Sequence, residues 1–202
     1  MNRKRFDAYP TETAVTRALL NRVPISGIVC EPCAGAGLMA GELQKETAVS
    51  SVRTNDIDVE QYARYGRHDF FGDATDPLAD VWSYPIADFQ RPFSWIVTNP
   101  PFNQAMGVLR QSWEHASVGV AFLLRLTFLE PAGKRSGERG EWLAAHEDQM
   151  THLITLGQPR PSFTGNGKTD SATVAWMVWQ KDWSWDRMGI ERPFQFAMKW
   201  KL

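Results

Sequence analysis

The chain has 202 residues, with 22 Lys and Arg against 23 Asp and Glu and a net charge of −1. That length suits one domain spanning residues 1–202 with a substantial core, while the charge balance excludes a protein that holds nucleic acid by overall cationic character, leaving only local patches to do so. A hydrophobic content of 43% with no apolar run long enough to span a bilayer excludes a helical membrane protein.

The N-terminus is charged (Arg3, Lys4, Arg5) and lacks the apolar stretch of a secretory signal. With only two cysteines, the expected setting is a reducing cytoplasm. Residues 11–22 read as a helix, because Val15, Ala18 and Leu19 fall at helical spacing and Pro24 stops it. Residues 27–30 form a short apolar strand that runs into Gly35-Ala36-Gly37, and residues 38–46 read as a helix. A second strand, 52–56, ends in "NDID". Residues 59–65 are helical in pattern, 66–73 a short strand or turn, and 76–91 irregular, broken by Pro77 and Pro85. A buried strand is expected at 95–98, a helix at 103–115 and another apolar strand at 118–126. Residues 130–140 read as a charged, glycine-rich loop, 141–147 as a helix, and 152–156 and 173–180 as strands flanking a long polar loop. Four of the nine tryptophans fall between Ala175 and Arg187, so this end of the chain is expected to pack in the core. Strands alternating with helices imply an α/β protein with a doubly wound, mostly parallel sheet covered on both faces. In such sheets ligands sit outside the carboxyl ends of the strands, where the strand order reverses. The two most unusual stretches, "EPCAGAG" at 31–37 and "TNPPF" at 98–102, both follow apolar strands and so belong on that rim.

At the first of these, Gly35 and Gly37 allow a tight turn and close approach to a ligand. The spacing is not that of a dinucleotide phosphate cradle. Asp56 ends the next strand about twenty residues on, where a carboxylate accepts both hydroxyls of a ribose. Asp69 and Phe70 end a third strand, offering an acceptor for an adenine amino group and a ring to pack on the base. Together they describe a pocket for an adenosine without phosphates. Cys30 and Cys33 have the spacing of redox and zinc sites, but no second pair exists and a glycine turn follows, so a structural role is expected. His68, His115, His146 and His152 show no metal spacing, and no metal is expected.

The second stretch poses a sharper chemical question. Two adjacent prolines remove two donors and fix two φ angles at the tip of a buried strand. An exocyclic amine on a base is a poor nucleophile, because its lone pair is delocalised into the ring. Accepting both N–H bonds localises that pair. The Asn99 side-chain oxygen and the Pro100 carbonyl are the candidate acceptors, Pro100 and Pro101 stiffen the corner, and Phe102 gives a face for an extruded base.

Taken together, these motifs resemble the class I S-adenosylmethionine-dependent methyltransferases of the amino-methylating, adenine-N6 type. "AYPT" (8–11), "EPCAGAG", "NDID", "HDFF" and "TNPPF" stand in that family's order, and "QPRPSF" (158–163) followed by "VAWMVW" resembles its last hairpin. The resemblance covers roughly residues 8–180 and implies a Rossmann-like, seven-stranded sheet whose last strand is antiparallel. It implies S-adenosyl-L-methionine as cofactor, held by Tyr9, Thr11, Glu31, Pro32, Cys33, Ala34, Gly35, Gly37, Asp56, Ile57, Asp69, Phe70 and Asn99, with Glu31 toward the cofactor's ammonium. It implies Asn99, Pro100, Pro101 and Phe102 as the catalytic corner. No separate target-recognition domain is visible, so Lys134, Arg135, Arg139, Arg160 and Lys168 are the candidate phosphate contacts and Phe163 a second aromatic wall. This compact form resembles adenine methyltransferases carried by phages and other mobile elements, which implies a bacterial cytoplasm. The reading is therefore DNA adenine-N6 methylation with short or relaxed specificity, by a monomer or homodimer. The alternatives are methylation of a base amine in RNA, methylation of a protein glutamine, and a non-catalytic cofactor-binding subunit.

Overall fold

A computed structural model describes residues 10–56, 93–130, 137–157, 160–161 and 172–191. Six strands are described: β1 (Gly27–Glu31), β2 (Val49–Thr54), β3 (Phe93–Thr98), β4 (Ala116–Arg125), β5 (Met150–Thr155) and β6 (Val174–Gln180). The helices are α1 (Thr13–Leu20), α2 (Leu38–Leu43), α3 (Ala105–His115), α4 (Gly137–Ala145) and the short α5 (Trp185–Met188). The expected helix at 59–65, the strand at 66–73 and the irregular stretch at 76–91 lie outside the described residues. The strands form one sheet in the order β2-β1-β3-β4-β6-β5. Strands β1 to β4 pair in parallel, and β6 runs antiparallel to both β4 and β5. The expected antiparallel last strand is thus present, lodged between two earlier strands.

Period-two alternation divides the core into two layers. Trp95, Val97, Ala121, Leu123, Trp176 and Val178 face the layer that holds Val15 and Leu19 of α1 and Met39 and Leu43 of α2. Their neighbours Ile96, Val120, Phe122, Leu124, Met177 and Trp179 face the other layer, with Val108 and Leu109 of α3 and Leu143 of α4. Strands buried on both faces have no polar side, which is why β3, β4 and β6 read as unbroken apolar runs. Trp95, Trp176 and Trp179 are fully buried, and truncating such a residue costs about 3–5 kcal/mol.

Helix α1 is tied down at two points. The Trp176 indole N–H donates to the Val15 carbonyl (2.8 Å), which satisfies a polar atom in the apolar layer. Arg17 forks onto Glu42 of α2 and Glu46 just beyond it, and Glu42 also accepts from Lys45. The N-terminal end of α1 therefore has a fixed place over the sheet. Most boundaries differ from the sequence reading by one to three residues, and two have a clear cause. Helix α1 starts at Thr13 because Glu12 keeps an extended backbone (φ −60°, ψ 142°). Helix α4 begins at Gly137, inside the stretch read as loop, because Gly140 and Leu143 are buried against the core and tertiary packing outweighs poor local propensity.

Gly119 lies where β4 passes between β3 and β6. A Cβ there would stand 2.5 Å from the Trp179 carbonyl oxygen and 2.9 Å from Trp95 Cζ3. Neither backbone nor a buried indole can yield cheaply. Gly119→Ala should lower stability by about 1–3 kcal/mol, read as a reduced urea midpoint at unchanged slope. An unchanged midpoint would show that the sheet accommodates a methyl here.

Candidate active site

Strand order reverses between β1 and β3, since β2 lies to one side of β1 and the later strands to the other. The carboxyl ends of β1, β2 and β3 carry Glu31, Asn55-Asp56 and Asn99, so the topology gathers on one rim three groups far apart in sequence.

Backbone hydrogen bonds lace the first turn to the end of β2. The Asn55 N–H donates to the Glu31 carbonyl (2.9 Å), and the Ala34 N–H donates to the Asn55 carbonyl (2.8 Å). The Gly35 N–H donates to Asp56 Oδ2 at 2.5 Å. Gly35 and Gly37 have φ of +50° and +73°, a region other residues rarely occupy, and Gly37 caps the start of α2. The Asp56 carboxylate is in this way brought against the glycine turn. Pro32 is buried in the same turn, with Cys33 and Ala34 half-buried.

Glu31 is 2% exposed. Burial pushes its carboxyl well above the ordinary range, the Ala40 N–H at the head of α2 draws it partly back, and the Asp56 carboxylate adds to the rise. Its Oε2 is buried without a hydrogen-bond partner. A buried carboxylate oxygen that lacks a partner fits a cationic or N–H-rich ligand group. The cysteines offer no comparable chemistry. Both are free; burial pushes the Cys33 thiol up to about 12, with Asp56 adding to the effect, and holds the Cys30 thiol well above its ordinary range. A thiol held protonated at neutral pH is neither nucleophile nor ligand. Among the described residues no three His, Cys, Asp or Glu side chains gather as a metal site, and no helix is long and apolar enough to cross a membrane.

Asn99 leaves β3 half-buried, followed by buried Pro100 and half-buried Pro101 and Phe102. Its Nδ2 donates to Thr11 Oγ1 (3.1 Å) across 88 positions of sequence. That bond engages one N–H of the amide and fixes its orientation, leaving Oδ1 as an acceptor. Among the described residues neither Asn99 Oδ1 nor the Pro100 carbonyl receives a hydrogen bond, whereas the Pro101 carbonyl accepts from the Gln104 N–H (2.9 Å) and turns the chain toward α3. Arg125, at the end of β4, places its guanidinium carbon 4.5 Å from the Phe102 ring centroid.

The structure thus gathers Thr11, Glu31, Gly35, Gly37, Asp56 and Asn99 with its Pro-Pro-Phe corner. Arg139 lies on α4, where it donates to the Glu130 carbonyl (2.9 Å) and stands over Phe128. Arg160 is half-buried in the loop between β5 and β6. Tyr9, Ile57, Asp69, Phe70, Lys134, Arg135, Phe163 and Lys168 lie outside the described residues. Sequence reasoning missed two things: that Thr11 orients Asn99, and that Arg125 covers Phe102. The only signal for the second was a cation ending a ten-residue apolar strand on the same rim.

The folded chain holds the Glu31 proton to higher pH than the unfolded chain, whose glutamates titrate near about 4.3. Stability contributed by the protonated form is therefore complete below that value and is lost as pH rises through the folded one. Glutamine has no such proton. Without added ligand, the urea midpoint of Glu31→Gln should pull ahead of the wild type's as pH rises from about 4.5 to 8. Parallel profiles would mean that Glu31 is not a desolvated acid.

No family profile matches the chain, and neither does any curated protein sequence. Solved structures do. A dimethyladenosine transferase from Plasmodium falciparum superposes with a TM-score of 0.52 at 13% identity, over 84% of this chain and 62% of that one. The type IIG restriction endonuclease BpuSI gives 0.54 at 17% identity, over 85% and 24%. TrmK of M. capricolum, in complex with the cofactor product S-adenosyl-homocysteine, gives 0.51 at 8% identity, over 91% and 71%. The chain thus spans less than two thirds of the first two proteins. At these identities the likeness establishes the fold: an α/β, Rossmann-like sheet of the kind found in class I methyltransferases.

Proposed function

We propose that this chain is an S-adenosyl-L-methionine-dependent methyltransferase that acts on the exocyclic N6 amine of adenine in DNA. The observation that carries the reading is the pair of acceptors, Asn99 Oδ1 and the Pro100 carbonyl, unengaged among the described residues, on a proline-stiffened corner that shares the sheet rim with Glu31 and Asp56. The sequence order of the motifs supports it, as do the names of the similar structures, a dimethyladenosine transferase, a restriction endonuclease and a protein holding S-adenosyl-homocysteine.

The pocket residues suit the cofactor. Glu31 Oε2 would take the ammonium group, whose charge also favours the ionised carboxylate. Asp56 would hold the ribose hydroxyls, and the glycine turn would let the backbone approach. When bound, the cofactor supplies a methyl group on a positively charged sulfur. The chain's own part is to aim the nucleophile. Asn99 Oδ1 and the Pro100 carbonyl each accept one N–H of the amine, which localises the nitrogen lone pair and directs it at that methyl. With the methyl supplied in this way, the chain would have only to hold the amine in line with it, and the proton released from the amine would pass to water. Both acceptors stand in place beforehand, so little reorganisation is needed.

The test is transfer of labelled methyl from S-adenosyl-L-methionine to unmethylated duplex DNA and, in parallel, to ribosomal and transfer RNA, with nucleoside analysis of the products. N6-methyladenine in DNA, reduced about 10²–10³-fold in Asn99→Ala, is the expected result. Label confined to RNA would overturn the DNA assignment, and full activity of Asn99→Ala would overturn the chemistry. Thr11→Val removes the acceptor that orients Asn99 and should lower kcat up to about tenfold, the worth of one positioning hydrogen bond. Thr11→Ser should keep wild-type kcat; equal losses in both variants would show that the hydroxyl is not what matters.

A further inference from the structure

Arg125 stands at the catalytic rim without any structural commitment beyond one ring. Thr98 of β3 pairs with Phe122 of β4, so Arg125 lies about two residues, roughly 7 Å, farther along the rim than Asn99. The side chain is exposed. Its guanidinium covers Phe102, and among the described residues it has neither a carboxylate partner nor a hydrogen-bond acceptor. Most of the other described arginines differ. Arg17 is held by Glu42 and Glu46, Arg110 by Glu138, and Arg22, Arg139 and Arg187 each donate to a backbone carbonyl.

A guanidinium over an aromatic face keeps its edge N–H groups free for a planar or tetrahedral oxyanion. At an exposed site the contact with the ring is weak and readily exchanged. It also occupies the surface on which an extruded base would stack, and base stacking on an aromatic ring is the stronger contact. A cation there in the free protein is therefore both a cover for Phe102 and a fork of donors awaiting an anion.

We propose that Arg125 is a substrate-contacting residue that covers Phe102 until a nucleotide arrives, yields the ring to the target base, and then closes on the phosphate of that nucleotide. The proposal rests on the reading of the chain as a nucleic-acid base methyltransferase and names the residue that binds substrate beside the catalytic corner. Nothing covalent is involved: one cation–π contact is exchanged for a base–ring stack and a charge-assisted hydrogen bond.

The experiment compares wild type, Arg125→Ala, Arg125→Lys and Asn99→Ala on duplex DNA that carries the target adenine, once a methylated site is known. It is repeated with a neutral methylphosphonate at that nucleotide. Arg125→Ala should raise KM for DNA about tenfold, leave KM for the cofactor unchanged, and flatten the slope of log affinity against log salt by about one. Arg125→Lys, which keeps a charge without the planar fork, should restore the salt slope but not the full affinity. The methylphosphonate should weaken wild type and leave Arg125→Ala unaffected. An unchanged salt slope in Arg125→Ala, or equal weakening of both proteins by the neutral linkage, overturns the phosphate contact. If wild type methylates DNA, Asn99→Ala does not, and Arg125→Ala matches wild type, only the assignment of Arg125 falls. If wild type methylates no nucleic acid, the reading of the function falls and takes this one with it.

Discussion

The pairing of β3 on both edges is the constraint on which the site depends. Val29 and Cys30 of β1 hold Trp95 and Ile96 from one side, and four consecutive residues of β4, Gly119 to Phe122, hold Trp95 to Thr98 from the other. A strand bonded on both sides and buried on both faces has no alternative register, because a slip of one residue would exchange its two apolar layers. Asn99 is the first residue past that lock. Its height above the sheet follows from the pairing, and its direction follows from the prolines. The rigidity of the corner comes from the middle of the sheet as well as from the prolines.

The second dependency runs through α1. Arg17 and the Val15 carbonyl bind that helix to α2 and to Trp176, and Thr11, two residues before it, supports the Asn99 amide. The two halves of the site share this element: the segment that closes beside the glycine turn also fixes which face of the amide points outward. Opposite it, Glu31 is a strained choice for a protein at rest. A buried carboxyl with one unsatisfied oxygen weakens the empty fold, and such a cost persists where a ligand relieves it.

Much of the fold was legible because each strand announces itself twice, as an apolar run and as a boundary. Phe93–Thr98 and Val174–Gln180 have no polar face to confuse with a loop, and the stretches that break the pattern, Gly35-Ala36-Gly37 and Asn99-Pro100-Pro101, are the rim. The general rule that ligands gather at the carboxyl ends of parallel strands then brings Glu31, Asp56 and Asn99 together without coordinates. What stayed hidden depends on packing between distant segments. Nothing local in Glu138 or Arg139 says helix, and only the burial of Leu143 makes it one. Nothing near Thr11 names Asn99 as its partner across 88 residues. Arg125 belongs to no motif, because what sets it apart is the ring beneath it and, among the described residues, the lack of an acid beside it.

The place of β6 has a consequence for how the chain is made. Its residues are among the last of those described, yet it lies between β4 and β5 and contributes Trp176 to one layer and Trp179 to the other. As the polypeptide leaves the ribosome, β4 emerges some fifty residues before its antiparallel neighbour. Throughout that interval one edge of a ten-residue apolar strand has no hydrogen-bond partner, and both core layers lack an indole. The nascent protein is thus obliged to keep a sticky, open-edged intermediate apart from its copies on the same messenger until the final insertion closes the sheet.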